Sequence, residues 1–370
     1  MRIASFNVEN LFQRARALNQ ETWDLGRPIL DQHAEINRIL QNKTYTDANK
    51  KRLVELIKSL GLAKSDTAKF VILRQNHGRL LSRGKTGKIT ITAGGRDDWI
   101  GWVELRNEPV NDVAIFNTAR VIKEVGADIQ AVVEVENRVT LKEFNDEIVR
   151  QVGGTPFEHV MLIDGNDQRG IDVGLMTRDG FPIGLMRSHV DDKQPNGSLI
   201  FSRDCPEYSI TTPSGKRLWV LVNHFKSKGF GVTSASNAKR RAQATAVKEI
   251  YKRLKSDGEK HVVVLGDFND TPASAPLKPL IDDTDLKDVS EHSEFNDDGY
   301  PGTFGGATKN NKIDYILVSP DLFSKVKDGG IFRKGAWPGV RPKKWDTFPE
   351  LKKPIQAASD HQAIWADIDI

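Results

Sequence analysis

The sequence has a single cysteine, Cys205, among 370 residues. One cysteine excludes an intrachain disulfide, so nothing here points to an oxidising compartment. Long hydrophobic runs are missing too. No segment approaches the ~18 apolar residues that a transmembrane helix needs. The opening residues, MRIASFNVENLF, contain no apolar signal core and read as a strand ending in polar side chains. The expected setting is soluble and cytoplasmic, with export by another route left open. No membrane and no obligate protein partner are expected. A dominant charge of one sign is also lacking: 54 basic residues stand against 50 acidic ones, a net charge of +4. The total therefore decides nothing, and the distribution must be read instead. No internal repeat or low-complexity tract is present.

What remains is an ordinary globular composition, 38% hydrophobic and 28% charged, with 16 Phe and 7 Trp to fill a core. Seven short apolar runs, rich in β-branched residues, predict buried strands at 2–6, 129–133, 171–176, 218–222, 261–265, 312–318 and 363–368. Near-continuous apolar runs mean that both faces of a sheet are covered. Helical periodicity lies between them. From Val110 the apolar positions Val113, Ile115, Phe116, Val121, Ile122 and Val125 stop at Gly126. From Asn237, Ala242, Ala246, Ile250 and Leu254 recur every four residues. Mixed strands and helices predict an α/β or α+β layered fold. Residues 13–109 differ, with a helix expected over Leu53–Leu62 and strands over Phe70–Leu73 and Lys88–Thr92. A stretch so long and patterned is more than a loop. It reads as an insertion in one domain spanning 1–370.

The chemistry sits at strand ends. Asn7 and Glu9 follow the first strand, and Glu134 follows Val132-Val133. His224 ends another run, and Asp267, Asn269 and Asp270 follow Val262–Gly266. Asp360-His361 precedes the last strand. A lone Asp after a strand is most often a turn or cap residue. Asp314 is different, because a carboxylate inside an apolar strand is costly unless paired. Together these groups offer hard oxygen donors for Mg²⁺ or Mn²⁺ and histidines for proton transfer.

At this point the chain resembles the endonuclease/exonuclease/phosphatase superfamily, the fold of DNase I. Seven pieces carry the resemblance, in the family's order. They are SFNVENLF at 5–12, VVEVENR at 132–138, RGIDVGLMTR at 169–178, VNHFKSK at 222–228, VVVLGDFNDTP at 262–272, KIDYILVS at 312–319 and SDHQAI at 359–364. The resemblance implies a four-layer, DNase I-like sandwich: two mixed β-sheets flanked by helices, with the site at one rim. It implies Glu134 as the main metal ligand, with Asn7 and Glu9 beside it and Asp360 near. It implies that Asp267 and Asn269 position the attacking water and the phosphate. His361, oriented by Asp314, would contact the phosphate or act as acid/base, and His224 would contact the phosphate or assist the leaving oxygen. Arg169 would lie near the scissile phosphate, which an Arg can grip with two donors. Asp172 could pair with Arg169 or serve the site. Glu136 competes with Glu134, since strand alternation puts both on one face. The family's Gln-Glu-Val segment favours Glu134, with Val133 where the family has Gln. Mg²⁺ or Mn²⁺ is the expected cofactor, with Ca²⁺ also open.

Residues 69–96 contain seven Lys or Arg and no Asp or Glu. Residues 325–354 contain nine basic and three acidic residues, interleaved with Phe332, Trp337, Trp345 and Phe348. Lys239-Arg240-Arg241 follows a Gly- and Ser-rich loop after His224. Such patches suit a phosphate backbone, and the aromatics could stack on bases. Arg79, Arg83, Lys85, Lys226, Arg240 and Arg241 are the expected contacts. Solvated surface is the plainer alternative for each. The expected substrate is nucleic acid, DNA before RNA, cut by an endonuclease with little sequence preference. Hydrolysis of lipid or soluble phosphoesters and a non-catalytic nucleic-acid-binding module are the alternatives.

Overall fold

A computed structural model describes residues 1–20, 23–167, 169–228, 233–340 and 343–370. The chain separates into two compact units. The first comprises Met1–Phe12, Val110–Lys228 and Ser234–Ile370, and the second is built on Gln13–Pro109.

The first unit holds two sheets. One has seven strands in the order Phe295–Asn296, Val326–Phe332, Ala363–Ile368, Arg2–Asn7, Ile129–Val135, Asp172–Thr177, His159–Ile163. The other has six, in the order Ile183–Arg187, Glu207–Thr211, Arg217–His224, Val262–Asp267, Asp314–Val318, Lys287–Asp288. Both are mixed: Arg2–Asn7 runs parallel to Ile129–Val135 and antiparallel to Ala363–Ile368. Likewise Val262–Asp267 runs parallel to Arg217–His224 and antiparallel to Asp314–Val318.

Alternation explains the layers. Val263 and Leu265 join Val220, Val222, Ile316, Ile129, Ala131 and Val133 in the core between the sheets. Val262 and Val264 point the other way, into a core shared with Ala244, Val247, Ile250 and Leu254 of the Thr233–Ser256 helix. On the far side of the seven-stranded sheet, Ala4, Phe6 and Val132 pack on Ala114, Ala119, Ile122 and Val125 of the Asp112–Val125 helix. The expected four-layer sandwich is therefore present, and the unbroken Val262–Leu265 run reflects burial on both faces. The Asp112–Val125 helix starts where the Asn111 side chain accepts from Val113 N, and stops at Gly126 in the left-handed region (φ 63°). Truncating Ile122, 1% exposed, would cost about 2–5 kcal/mol.

The second unit has its own core, formed among others by Leu30, Ile36, Leu53, Leu56, Leu73, Trp99 and Val103. Its helices are Trp23–Leu40 and Asp47–Ser59. The sequence reading has no counterpart for the first, which carries Gly26 and Pro28. Among the described residues its strands form three antiparallel pairs, Gln13–Ala15 with Asn107–Pro109, Val71–His77 with Ile100–Leu105, and Leu81–Arg83 with Ile89–Ile91. The Gly/Ser-rich loop expected after His224 falls at 229–232, outside the described residues, as does Arg341 of the basic 325–354 stretch. Among the described residues no helix is long and apolar enough to cross a membrane.

Candidate active site

Register assembles the site. His224 pairs with Asp267 across two parallel strands, and Asp267 pairs with Asp314 across the next, antiparallel pair. Three chemical groups thus stand side by side on adjacent strand ends. Their successors do the same on the opposite face. Phe225 stacks on Phe268 at 4.8 Å, and Phe268 on Tyr315 at 4.8 Å, all fully buried. The Tyr315 hydroxyl donates to the Asp270 carbonyl at 2.7 Å. This aromatic column clamps three strand ends in register, with stacking worth about 0.5–1.5 kcal/mol per pair beyond burial.

The seven-stranded sheet and the turn after Asp267 supply the rest. Asn7 Nδ2 donates to Asp267 Oδ2 at 3.3 Å and lies 3.4 Å from His361 Nε2. Asn7 Oδ1 accepts from Glu9 N at 3.0 Å. Glu9 in turn accepts the Asp360 backbone N–H at 3.2 Å. Asn269 returns two donors to Asp267, from its backbone at 2.8 Å and its amide at 2.9 Å. Its amide also donates to the Phe225 carbonyl at 3.2 Å. His361 Nδ1 meets Asp314 Oδ2 at 2.9 Å, while its Nε2 faces Asp267 Oδ2 at 3.9 Å and Asp360 Oδ1 at 3.8 Å. Phe304 packs edge-on against the ring at 4.9 Å.

Glu134 owes its place to a bulge. Val133 pairs with Val173 but Val135 pairs with Asp172, so Glu134 is the extra residue, with φ 65°. A bulge re-aims a side chain. Glu134 Oε1 comes within 3.5 Å of His224 Nε2, which also lies 3.5 Å from Asp267 Oδ2. The premise that alternation places Glu134 and Glu136 alike is corrected by this bulge. Glu136 accepts from Leu11 N at 3.1 Å and Phe12 N at 2.8 Å, tying down the segment after the first strand. Among the described residues six non-glycine residues have positive φ, and Glu9, Asn10, Glu134 and Asn269 are four of them. Unfavourable backbone concentrates at functional sites because the surrounding fold must impose it.

Charge divides the site. Burial pushes the His224 imidazole well below the ordinary histidine range, helped by the Arg203 and Arg169 guanidiniums, which favours its neutral form. Burial opposes charge on His361 too, but Asp314, by charge and hydrogen bond, and Asp267 hold it well above the ordinary histidine range. Burial and the neighbouring Asp314 push the Asp267 carboxyl well above the usual carboxylate range. Beside these lies a cationic group. Arg169 grips Asp167 with Nε at 2.9 Å and a terminal nitrogen at 2.8 Å. Arg203 Nε reaches the same carboxylate at 3.1 Å. Burial, then Arg169 and Arg203, lowers Lys226 to about 8.

The carboxylate gripping Arg169 is thus Asp167. Asp172 accepts from Gly165 N at 2.8 Å, and burial lifts it to about 7. Arg203 and Asp167 have no counterpart in the sequence reading. A lone arginine in Phe201-Ser-Arg-Asp carries no motif, and its burial is a tertiary property. The expected basic contacts divide. Lys226 adjoins the site. Arg240 is a correction: it is 1% exposed and pairs with Asp270 at 3.0 Å, because a charge enclosed under a helix must be neutralised locally. Arg241 is exposed and donates to the Ala275 carbonyl at 3.2 Å. In the second unit Arg79 and Lys85 are exposed. Arg83 is a further correction, tied to Asp66 at 2.7 Å and to the Leu62 and Ala63 carbonyls. The aromatics of 325–354 divide: Trp337 and Trp345 are half-buried, and the two phenylalanines pack together. Phe348 is buried, Phe332 packs on it, and the Trp345 indole donates to the Ala336 carbonyl.

A sequence model of the endonuclease/exonuclease/phosphatase family matches residues 95–331, a stretch holding Glu134, His224, Asp267 and Asp314. The chain belongs to this family. Endonuclease/exonuclease/phosphatase proteins are hydrolases of phosphoester bonds and generally use divalent metals. No curated protein sequence matches the chain. Among solved structures, a mannosyl-6-phosphatase from Bacteroides thetaiotaomicron is 18% identical, with a TM-score of 0.50, covering 69% of this chain and 90% of that one. A second family protein from the same organism is also 18% identical with a TM-score of 0.50, covering 68% and 84%. The human nocturnin catalytic domain is 14% identical with a TM-score of 0.46, covering 71% and 88%. Likeness at these identities shows the fold alone.

The donor set of this family member suits a hard divalent cation. Glu134, Asn7 and Glu9 offer oxygen ligands at one rim, as Mg²⁺ or Mn²⁺ prefers. Asp267, Asp314 and His361 also form a group whose ligand atoms lie within 4.8 Å of one another. There Asp314 Oδ2 is engaged by His361, while Asp314 Oδ1 is buried without a hydrogen-bond partner.

Proposed function

We propose that the chain is a divalent-metal-dependent nuclease, cutting DNA internally with little sequence preference. One observation carries the reading: a single rim joins an oxygen-donor half, Glu134, Asn7 and Glu9, to a cationic half, His361, Arg169 and Lys226. A phosphodiester needs both, since its negative charge repels a nucleophile and grows in the transition state. A bound metal would neutralise charge on the phosphate. His361, held through Nδ1 by Asp314, presents Nε2 toward the Asn7 amide and Asp267. It supplies a second positive charge. Asn269 is held to Asp267 and positions the phosphate and the attacking water. Neutral His224 can accept or pass a proton.

Nucleic acid is favoured by exposed basic side chains, Arg241, Arg79 and Lys85, which suit phosphates. This reading rests on backbone charge rather than base stacking. Backbone contacts carry no sequence information, which fits an enzyme of low selectivity. The test is cleavage of supercoiled and linear DNA with Mg²⁺, Mn²⁺ or EDTA, using wild type and His361→Ala. Metal-dependent nicking lost in the variant supports the reading, and intact DNA with folded, metal-loaded protein overturns it.

One observation favours a second reading, a soluble phosphoester substrate. A shallow, open depression is bordered by Asn137, Arg138, Val139, Thr140, Leu162 and Asp164, just beyond Glu134 in sequence. Its amide, hydroxyl and carboxylate lining suits a small hydroxylated molecule. Release of phosphate from sugar phosphates, with DNA left intact, would select it.

A further inference from the structure

Arg203 is almost fully buried, 1% exposed, yet its charge lies under the site rather than on it. It sits between Asp167 and the Phe225 carbonyl. On one side its Nε is 3.1 Å from Asp167 Oδ2, the oxygen that also takes the terminal nitrogen of Arg169 at 2.8 Å. On the other side a terminal nitrogen points to the Phe225 carbonyl at 3.5 Å. That carbonyl also takes the Asn269 amide at 3.2 Å. The two loops are pressed together. A Cβ on Gly165 would stand 2.7 Å from Arg203 Cα and 2.9 Å from Asp204 N, so only glycine lets the chain lie this close at position 165. Asp204 Oδ1 anchors the Arg203 segment by accepting from His189 N and Cys205 N, both at 2.7 Å.

Burying a guanidinium is costly unless geometry compensates. Two arginines around one carboxylate leave a net positive charge, directed at the site. Burial works against the Asp167 charge, but Arg169 and Arg203 hold its carboxyl well below the usual range, so it stays ionised.

We propose that Arg203 is a positioning residue: through Asp167 it orients Arg169, and through the Phe225 carbonyl it orients Asn269, setting both as one phosphate-gripping unit. This rests on the reading of the site as a phosphoester hydrolase. A lysine would keep the charge but lose the planar fork that spans the two partners.

The test is a double-mutant cycle on the full chain, read by calorimetric binding of inorganic phosphate in EDTA, with hydrolysis of bis(p-nitrophenyl) phosphate plus Mn²⁺ as second readout. Arg203→Lys and Arg169→Ala are each expected to weaken phosphate binding about tenfold, and the double variant to lose clearly less than the product of the two, since the Arg169 arm is shared and only the Asn269 arm remains to be lost. Asp167→Asn keeps the size of the side chain and should reproduce the effect, and it decides the matter where Arg203→Lys does not fold. Independent, multiplying losses, or unchanged affinity in a folded Arg203→Lys, would overturn the proposal, as would a wild type that binds no phosphate. Coupled phosphate binding in a wild type that hydrolyses no phosphodiester would sustain the positioning role and remove the hydrolase reading.

Discussion

His361 Nδ1 lies 2.9 Å from Asp314 Oδ2, both side chains are buried, and the opposite ring nitrogen faces Asp267. The carboxylate fixes which nitrogen carries the proton and favours the imidazolium. Asp314→Asn should therefore lower kcat about 10²–10⁴-fold while leaving the melting temperature within a few degrees. The check is DNA cleavage with circular dichroism melts. Undiminished kcat would show that this pair only fills space.

Glu134 and Glu136 should separate cleanly. Glu134→Gln should abolish Mn²⁺-dependent hydrolysis and weaken Mn²⁺ binding by calorimetry, since a neutral amide replaces a charged ligand. Glu136→Ala should keep Mn²⁺ affinity but lose about 1–3 kcal/mol of stability, because the Leu11 and Phe12 N–H groups lose their acceptor. Reversed outcomes would exchange the two roles.

Lys226, lowered to about 8, gives a pH signature. Its charge is present below that value and lost above it. The kcat/KM for DNA should fall as pH rises through about 8, and Lys226→Arg should move that limb upward because arginine stays charged. A profile identical in both proteins would assign the limb to another group.

Asp172 predicts a stability effect. Its folded-state pKa of about 7 stands above the unfolded value, so the folded state binds the proton more tightly. Stability is therefore lost as pH rises from about 4 to about 7, then levels. Asp172→Asn can still accept from Gly165 N without that penalty. It should be more stable than wild type above pH 7 by about 1–3 kcal/mol and no more stable near pH 4. Parallel curves would rule out this assignment.

The two arginines Arg240 and Arg241 should part in the same way. Arg240→Ala leaves Asp270 buried beside an incomplete partner set and should cost about 3–5 kcal/mol. Arg241→Glu should leave the melting temperature unchanged, raise the KM for DNA and flatten its salt dependence. Salt-independent, unchanged kinetics would remove Arg241 from the substrate path.

The strands were legible in sequence because burial on both faces leaves unbroken apolar runs such as Val262–Leu265, and the four layers were legible through the resemblance to a known family. Asn7, Glu134, His224, Asp267, Asn269, Asp314 and His361 were legible because each ends or borders such a run, in the order of a known family. Tertiary structure alone decided three matters. The bulge at Glu134 broke the alternation that left it level with Glu136, and a bulge depends on partner register. Arg240 and Arg83 read as surface cations, but their acidic partners, Asp270 and Asp66, are distant in the chain and neutralise them. Arg203 read as nothing at all, since only folding brings Asp167 and the Phe225 carbonyl to either side of it. Apolar patterning is a local property and survives in the sequence, whereas the pairing of buried charges is made by contacts between segments far apart in the chain.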